Sequence, residues 1–434
     1  MILFGGGAIE EKAEGMLSQY RVLDLTNERG FLCGKVLGDL GIDVIKIEKP
    51  GGDPARSIGP FYHDIPDPEK SLYWWAFNTS KRGITLDIET VDGQEIFKRL
   101  VRTADVIIES FDPGYMDKLG LGYAVLSQIN PRLVMASITG FGQTGPYKNL
   151  KAPDIVVWAL SGQGYVTGDP DRAPLVPSFP IAYFFGAMAA AVGALMALYH
   201  RGITGEGQQV DAPAQLGLAW AVGPETQGLW DGEKIIAKRS GRMWLRAQTS
   251  AGGKMNYIRI PLKYQCKDGA VRFFPFVQPG MLPSVMALTQ WVIDEGMASE
   301  TLKHVDWSKI DWQTVTQDTV DEITDSFGRL FLKHTKAELW ERAQKMGIQL
   351  YPLLTPKDML EFQQLRIREY WEEVEHPELG TTITYPGAFA KMTETPCRIE
   401  RRAPLIGEHN QEIYIKELGL SAEELLLLKQ AKVV

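Results

Sequence analysis

The chain has 434 residues, 44% hydrophobic and 23% charged, a globular composition and a length suited to two or three domains, which excludes disordered and fibrous classes. Its formal net charge of −8 argues against a broad nucleic-acid footprint, which needs a basic surface, but leaves room for a local basic pocket around a phosphorylated cofactor. Cys33, Cys266 and Cys397 are far apart and form no C-x-x-C pair, so neither a disulfide framework nor a zinc site is indicated, and reduced thiols in a cytoplasm are expected.

In chain order, the start Met1-Ile2-Leu3-Phe4-Gly5-Gly6-Gly7 lacks the basic, apolar and cleavage regions of a secretory signal, and residues 1–18 read as a flexible leader. Short β-branched runs then alternate with helical stretches: a strand over 22–25, a helix over 33–40, a strand over 43–47 and, after a Pro/Gly-rich loop, a strand over 84–87. A helix over 94–102 and strands over 106–109 and 133–137 follow. Strands separated in this way imply βαβ units, hence an α/β, doubly wound, mostly parallel sheet covered on both faces. The uncharged run 181–199 is near the length a bilayer requires. Its many Gly and Ala residues predict instead a buried helix packed closely on its neighbours.

Past Asp211 the alternation dissolves into a Trp/Arg/Gly-rich segment, 229–251. Strands over 257–262 and 271–274 and helices over 281–297 and 335–346 then suggest a smaller α+β domain. The charged stretch 361–375 reads as a helical linker. Ser421-Ala422-Glu423-Glu424 opens a short terminal helix with a capping box.

Several motifs are weak on inspection. Gly140-Phe141-Gly142-Gln143-Thr144-Gly145 matches a dinucleotide fingerprint literally, but Pro146 and the polar 148–151 oppose the helix that must open there, so it reads as a glycine loop lining a pocket. The six histidines show no metal-binding spacing, so no metal is expected, and no G-x-S-x-G elbow is present. Asp169 and Asp171 fall in a Gly/Pro-flanked turn that reads as solvated. Phe61, Tyr62, Tyr73, Trp74, Trp75 and Phe77 either pack a long loop onto the sheet or line a pocket for an aryl acid. Lys81 and Arg82 follow a loop into a strand where a phosphate could sit. Lys118 and Lys151 read equally well as solvated surface.

A longer series of motifs carries a family resemblance. It comprises Asp24-Leu25-Thr26; Leu37-Gly38-Asp39-Leu40-Gly41; Asp43 to Glu48; Glu109-Ser110-Phe111-Asp112-Pro113-Gly114; Asn130-Pro131-Arg132; Thr139-Gly140-Phe141-Gly142; Leu160-Ser161-Gly162; Pro180-Ile181-Ala182-Tyr183; Thr204-Gly205-Glu206-Gly207-Gln208; and Arg402 to His409. In this order, over nearly the whole chain, the series resembles the class III CoA-transferases, the formyl-CoA and crotonobetainyl-CoA transferase family. The resemblance implies a large Rossmann-like domain built from both chain ends (19–210 and 351–434), a smaller one between them (211–350), and two chains interlocked like links. It implies CoA or acyl-CoA as substrate, held near Glu28, Arg29, Lys49, residues 86–89, Ser110, Phe111, Lys118 and Lys151. Glu28-Arg29 replaces the family's Gln-Ala pair and Ser110 its asparagine.

In such enzymes an aspartate attacks the acyl thioester and becomes in turn a mixed anhydride and an aspartyl-CoA thioester. Tyr183 stands at that position. A phenol with a pKa of about 10 is mostly protonated at neutral pH, and it has no acyl carbon with which to form the thioester. The racemase branch is disfavoured because no histidine lies between His63 and His200. Three readings follow. The chain is the non-nucleophilic subunit of a heteromeric transferase, working with a homologous Asp-bearing partner; its opening stretch resembles the benzylsuccinate type, which implies succinyl-CoA as donor and an aromatic acid as acceptor. Alternatively Asp154, the nearest plausible carboxylate, has taken over, or the chain binds CoA esters without catalysis.

Overall fold

The computed structural model describes residues 15–168, 172–222, 243–249, 255–275, 280–311 and 314–434. Most of the expected leader, Asp169, Asp171 and most of the 229–251 segment lie outside the described residues. The chain divides into two compact units, one of residues 1–163, 177–223 and 363–434, the other of residues 164–176 and 224–362.

The first unit is built on six parallel strands: β1 (Arg21–Leu25), β2 (Asp43–Glu48), β3 (Lys81–Thr85), β4 (Val106–Glu109), β5 (Val134–Thr139) and β6 (Gln209–Pro213). Their order is β3-β2-β1-β4-β5-β6, that of a doubly wound nucleotide-binding sheet. Alternate residues serve opposite faces. Val22, Val44, Val106, Val134 and Ala136 join one core with the long helix Ile181–Thr204. Leu23, Ile45, Ile84, Ile107 and Met135 join the other with Ile96, Phe97 and Leu100 of the helix Val91–Val101. Both faces are therefore covered, and the central strands β1, β4 and β5 are rich in buried apolar residues.

β3 is an edge strand covered by the C-terminal segment. The Tyr414 hydroxyl donates to the Thr85 carbonyl at 2.6 Å, Asn410 bonds both the amide and the hydroxyl of Thr85, and the Asp87 amide donates to the Val433 carbonyl. This strand begins three residues earlier than its composition suggests, because two cations open it. The Lys81 ammonium is fully buried, donating to Asp24 at 2.8 Å, to the Phe31 carbonyl and to Asn78.

The stretch expected as a helical linker is instead a short helix, Gln363–Ile367, followed by the strand Trp371–His376, which pairs antiparallel with Thr381–Pro386. Val374 and His376 are buried while Glu373 and Glu375 are exposed. That is the two-residue period of a half-buried strand, masked in the sequence by its glutamates.

The second unit pairs Met243–Thr249 with Met255–Pro261 and carries an antiparallel sheet of Lys263–Cys266, Gly269–Phe273 and Leu350–Pro352. Phe273, Trp291, Phe327, Phe331 and Leu339 form its core.

Candidate functional site

A doubly wound sheet opens its ligand crevice at the carboxyl ends of the strands, where the strand order reverses. That point lies between β1 and β4. The loop after β1 and the loop after β4 are clipped together there: the Asn27 amide donates to Ser110 Oγ, and Ser110 Oγ donates to Asn27 Oδ1, each at 2.9 Å. Beside this clip lies a cavity of about 510 Å3, lined among others by Asn27, Glu28, Lys49, Leu86, Phe111 and Tyr115.

Two carboxylates in this wall are engaged internally. Glu48 receives two hydrogen bonds from the buried Arg56, and Asp53 caps the Ala55 amide at 2.8 Å. Among the described residues the one cation lining the cavity, Lys49, is exposed and paired with Glu89 at 2.8 Å. The Glu109 carboxylate accepts from the Phe111 amide at 2.8 Å and so shapes the turn that brings Phe111 to the cleft. Burial pushes the Glu109 carboxyl up to about 7, with Asp211 and Asp117 adding to the rise.

Among the residues singled out from the sequence, Lys49 and Phe111 line the cleft, and Arg29 and Ser110 sit on the two loops that bound it. Lys118 is exposed at the end of the short helix Tyr115–Lys118, and Lys151 is exposed on a loop. Lys81 and Arg82 do not line this cleft. Lys81 is buried against Asp24. Arg82 lies near the start of β3, toward the amino-terminal ends of the strands, where it is bound by Asp43, Glu412 and Glu417 at 2.6–2.7 Å. Neither therefore offers a free cation to a phosphate in the cleft. Asn27 was not evident as a site residue, although its side chain accepts from the Arg29 amide two residues on, an Asx turn that the residue type permits.

Tyr183 is in the first turn of the long helix and is 2% exposed. Its hydroxyl donates to the Ala152 carbonyl at 2.6 Å, and the Arg29 guanidinium stands over its ring, 5.3 Å from the centroid. Burial pushes the phenol up to about 12 despite the opposing Arg29 charge. The glycine of the loop after β5 has a role here: a Cβ on Gly140 would lie 2.2 Å from Ala152 Cβ and 3.2 Å from the Tyr183 hydroxyl. No helix opens from that loop, so it is not a dinucleotide fingerprint.

Asp154 begins the helix Asp154–Leu160, but its carboxylate turns to another helix end. It accepts from the Tyr183 amide at 3.2 Å and also from that of Ala182. It thereby satisfies two orphan donors at the positive end of the long helix. Burial raises its carboxyl above the ordinary range, against these two hydrogen bonds.

Comparison with known proteins gives a consistent result. Residues 17–410 match the model of CoA-transferase family III. The chain is 34% identical over 415 residues to the succinyl-CoA:(R)-benzylsuccinate CoA-transferase subunit BbsE of Thauera aromatica, covering 94% of this chain and 95% of that protein. It is 33% identical over 437 residues to the formyl-CoA:oxalate CoA-transferase of Streptomyces avermitilis, covering 96% and 99%. Among solved structures, a CAIB/BAIF family protein from Brucella suis superposes with a TM-score of 0.76 at 25% identity, over 92% of this chain and 98% of that one.

Proposed function

The chain belongs to CoA-transferase family III, and on that premise we propose that it is the non-nucleophilic subunit of a heteromeric transferase. It would move CoA from an acyl-CoA donor such as succinyl-CoA to a carboxylic acid, benzylsuccinate or a similar aromatic acid, with a homologous partner carrying the nucleophilic aspartate. One observation carries this reading. Tyr183 fills the nucleophile position with a buried, hydrogen-bonded phenol raised to about 12, which neither ionises at neutral pH nor offers a carbonyl carbon to CoA.

Asp154 does not replace it well, because its oxygen is engaged by helix amides and an attacking carboxylate would have to give them up. CoA supplies the thiol that leaves the donor acyl group and is passed to the acceptor acid, the donor departing as its free acid. The cleft beside the Asn27–Ser110 clip suits one part of such a ligand: Leu86, Ile88 and Phe111 offer apolar walls and Lys49 a cation.

Two further features support a partner and an aromatic acid. On the long helix, Phe185, Met188, Val192, Met196, Tyr199 and Ile203 are exposed at spacings of three and four residues, an apolar stripe wanting a cover. Near Tyr183, Tyr73, Phe77, Phe184 and Phe179 form a row with centroids 4.9, 5.0 and 5.9 Å apart, suited to stacking an aryl group. The test is turnover by the purified chain with succinyl-CoA and benzylsuccinate. Alone it transfers no CoA, and a complex with an Asp-bearing homologue turns over at about 1–1,000 per second. Turnover of that order by the chain alone contradicts the proposal.

A further inference from the structure

Arg29 is held by its backbone and left open at its tip. Its amide donates to Asn27 Oδ1 at 3.1 Å, and Asn27 is clipped to Ser110 on the facing loop. Its guanidinium stands over the Tyr183 ring and, among the described residues, makes no hydrogen bond. The nearest carboxylate, on Asp112, is 3.7 Å away and 93% exposed. An ion pair that long and that exposed contributes little, so Asp112 can swing aside for a competing anion.

Two other carboxylates act on Tyr183: that of Asp154 is occupied by helix amides, and that of Glu28 belongs to the cleft lining. A planar fork over an aromatic face, with its donors uncommitted, is suited to gripping a carboxylate through two parallel hydrogen bonds. Its position matches such a ligand. Asn27 and Glu28, which precede Arg29, line the cleft, as does Phe111, which precedes Asp112. The group therefore stands at the rim where the two loops meet.

We propose that Arg29 binds the free carboxylate of a dicarboxylic acyl-CoA, selecting it over an uncharged acyl chain of the same length and displacing Asp112. The inference rests on the reading that a CoA thioester occupies the cleft of this chain. It differs from the sequence expectation, in which Arg29 touches CoA itself.

Calorimetric titration of the full chain with CoA, butyryl-CoA and succinyl-CoA tests it, since the two thioesters have equal chain length and differ in the terminal carboxylate. Succinyl-CoA binds about tenfold or more tighter than butyryl-CoA, as expected for a charged hydrogen-bonded pair. Arg29→Gln removes that preference and leaves CoA and butyryl-CoA affinities unchanged, Arg29→Lys keeps part of it, and Asp112→Asn enlarges it. Equal binding of the two thioesters by the unmodified chain, or a preference that survives Arg29→Gln, overturns the inference while leaving the family reading intact. Loss of CoA affinity itself in Arg29→Gln also overturns it, assigning Arg29 to CoA. If none of the three ligands binds, the underlying reading fails and the inference with it.

Discussion

At position 183 a buried phenol ring occupies core space that a short carboxylate could not fill, which makes the residue a structural element of the helix start. The ring packs where Gly140 leaves room, and its hydroxyl satisfies the Ala152 carbonyl. Tyr183→Phe removes one buried hydrogen bond and costs about 1 kcal/mol, seen as a small drop in thermal midpoint. Transfer by the heteromeric complex stays within about twofold of the unmodified rate, whereas a hydroxyl with a covalent role would cost several orders of magnitude.

Glu109 gives a second test at this scale. Its carboxyl lies at about 7 in the folded chain against 4.5 ordinarily, so the folded state holds the proton more tightly. The resulting stability is fully present below about pH 4.5 and is lost as the pH rises through 7, a change on the order of 3 kcal/mol. Thermal midpoints at pH 5 and pH 8 check the sign: the unmodified chain loses more than Glu109→Gln between them. A larger loss in the variant contradicts this account.

The long helix depends on a cap supplied from elsewhere in the chain. With Pro180 before it and no side-chain cap of its own, it relies on Asp154, so Asp154→Ala costs about 1 kcal/mol. Asp154→Asn separates the cap from chemistry. The amide oxygen still accepts from Ala182 and Tyr183, but it cannot form an anhydride. Transfer by the complex therefore survives Asp154→Asn, and its collapse would favour Asp154 as the nucleophile.

Elements also show what was legible beforehand. β1, β2 and β4 were evident because each is an apolar run bounded by turns, and the long helix because its small residues repeat on one face. β6 was not, since Gln209–Pro213 is polar and pairs only with β5. β3 was displaced because a strand opening on Lys81 and Arg82 looks like a loop until Asp24 and Asp43 are placed beside them. In the site, Tyr183 was marked by the Pro180-Ile181-Ala182-Tyr183 motif, and Asp154 only as the nearest plausible carboxylate. The Asn27–Ser110 clip and the Arg29–Tyr183 stack join segments more than 80 and 150 residues apart, and nothing local signals such pairings.

In the molecule as a whole, the first unit places a cleft at the carboxyl ends of β1 and β4; Tyr183 offers no acyl carbon, so the proposed reading takes the nucleophile from a partner chain, which the exposed apolar stripe suits. The long helix is apolar enough to cross a membrane by composition, yet its opposite face packs through Ala182, Ala187, Ala190 and Ala194, and its Arg201 is paired with Asp105 at 2.8 Å. These contacts commit it to the first unit's core and leave only the stripe to be covered.

The central claim is that the aspartate is on the partner. It is tested most directly by quenching the active complex with hydroxylamine during turnover of succinyl-CoA and locating the resulting hydroxamate by mass spectrometry. The modification is expected on an aspartate of the partner chain and none on this one; a hydroxamate on this chain, at Asp154 or any other carboxylate, would put the nucleophile here instead.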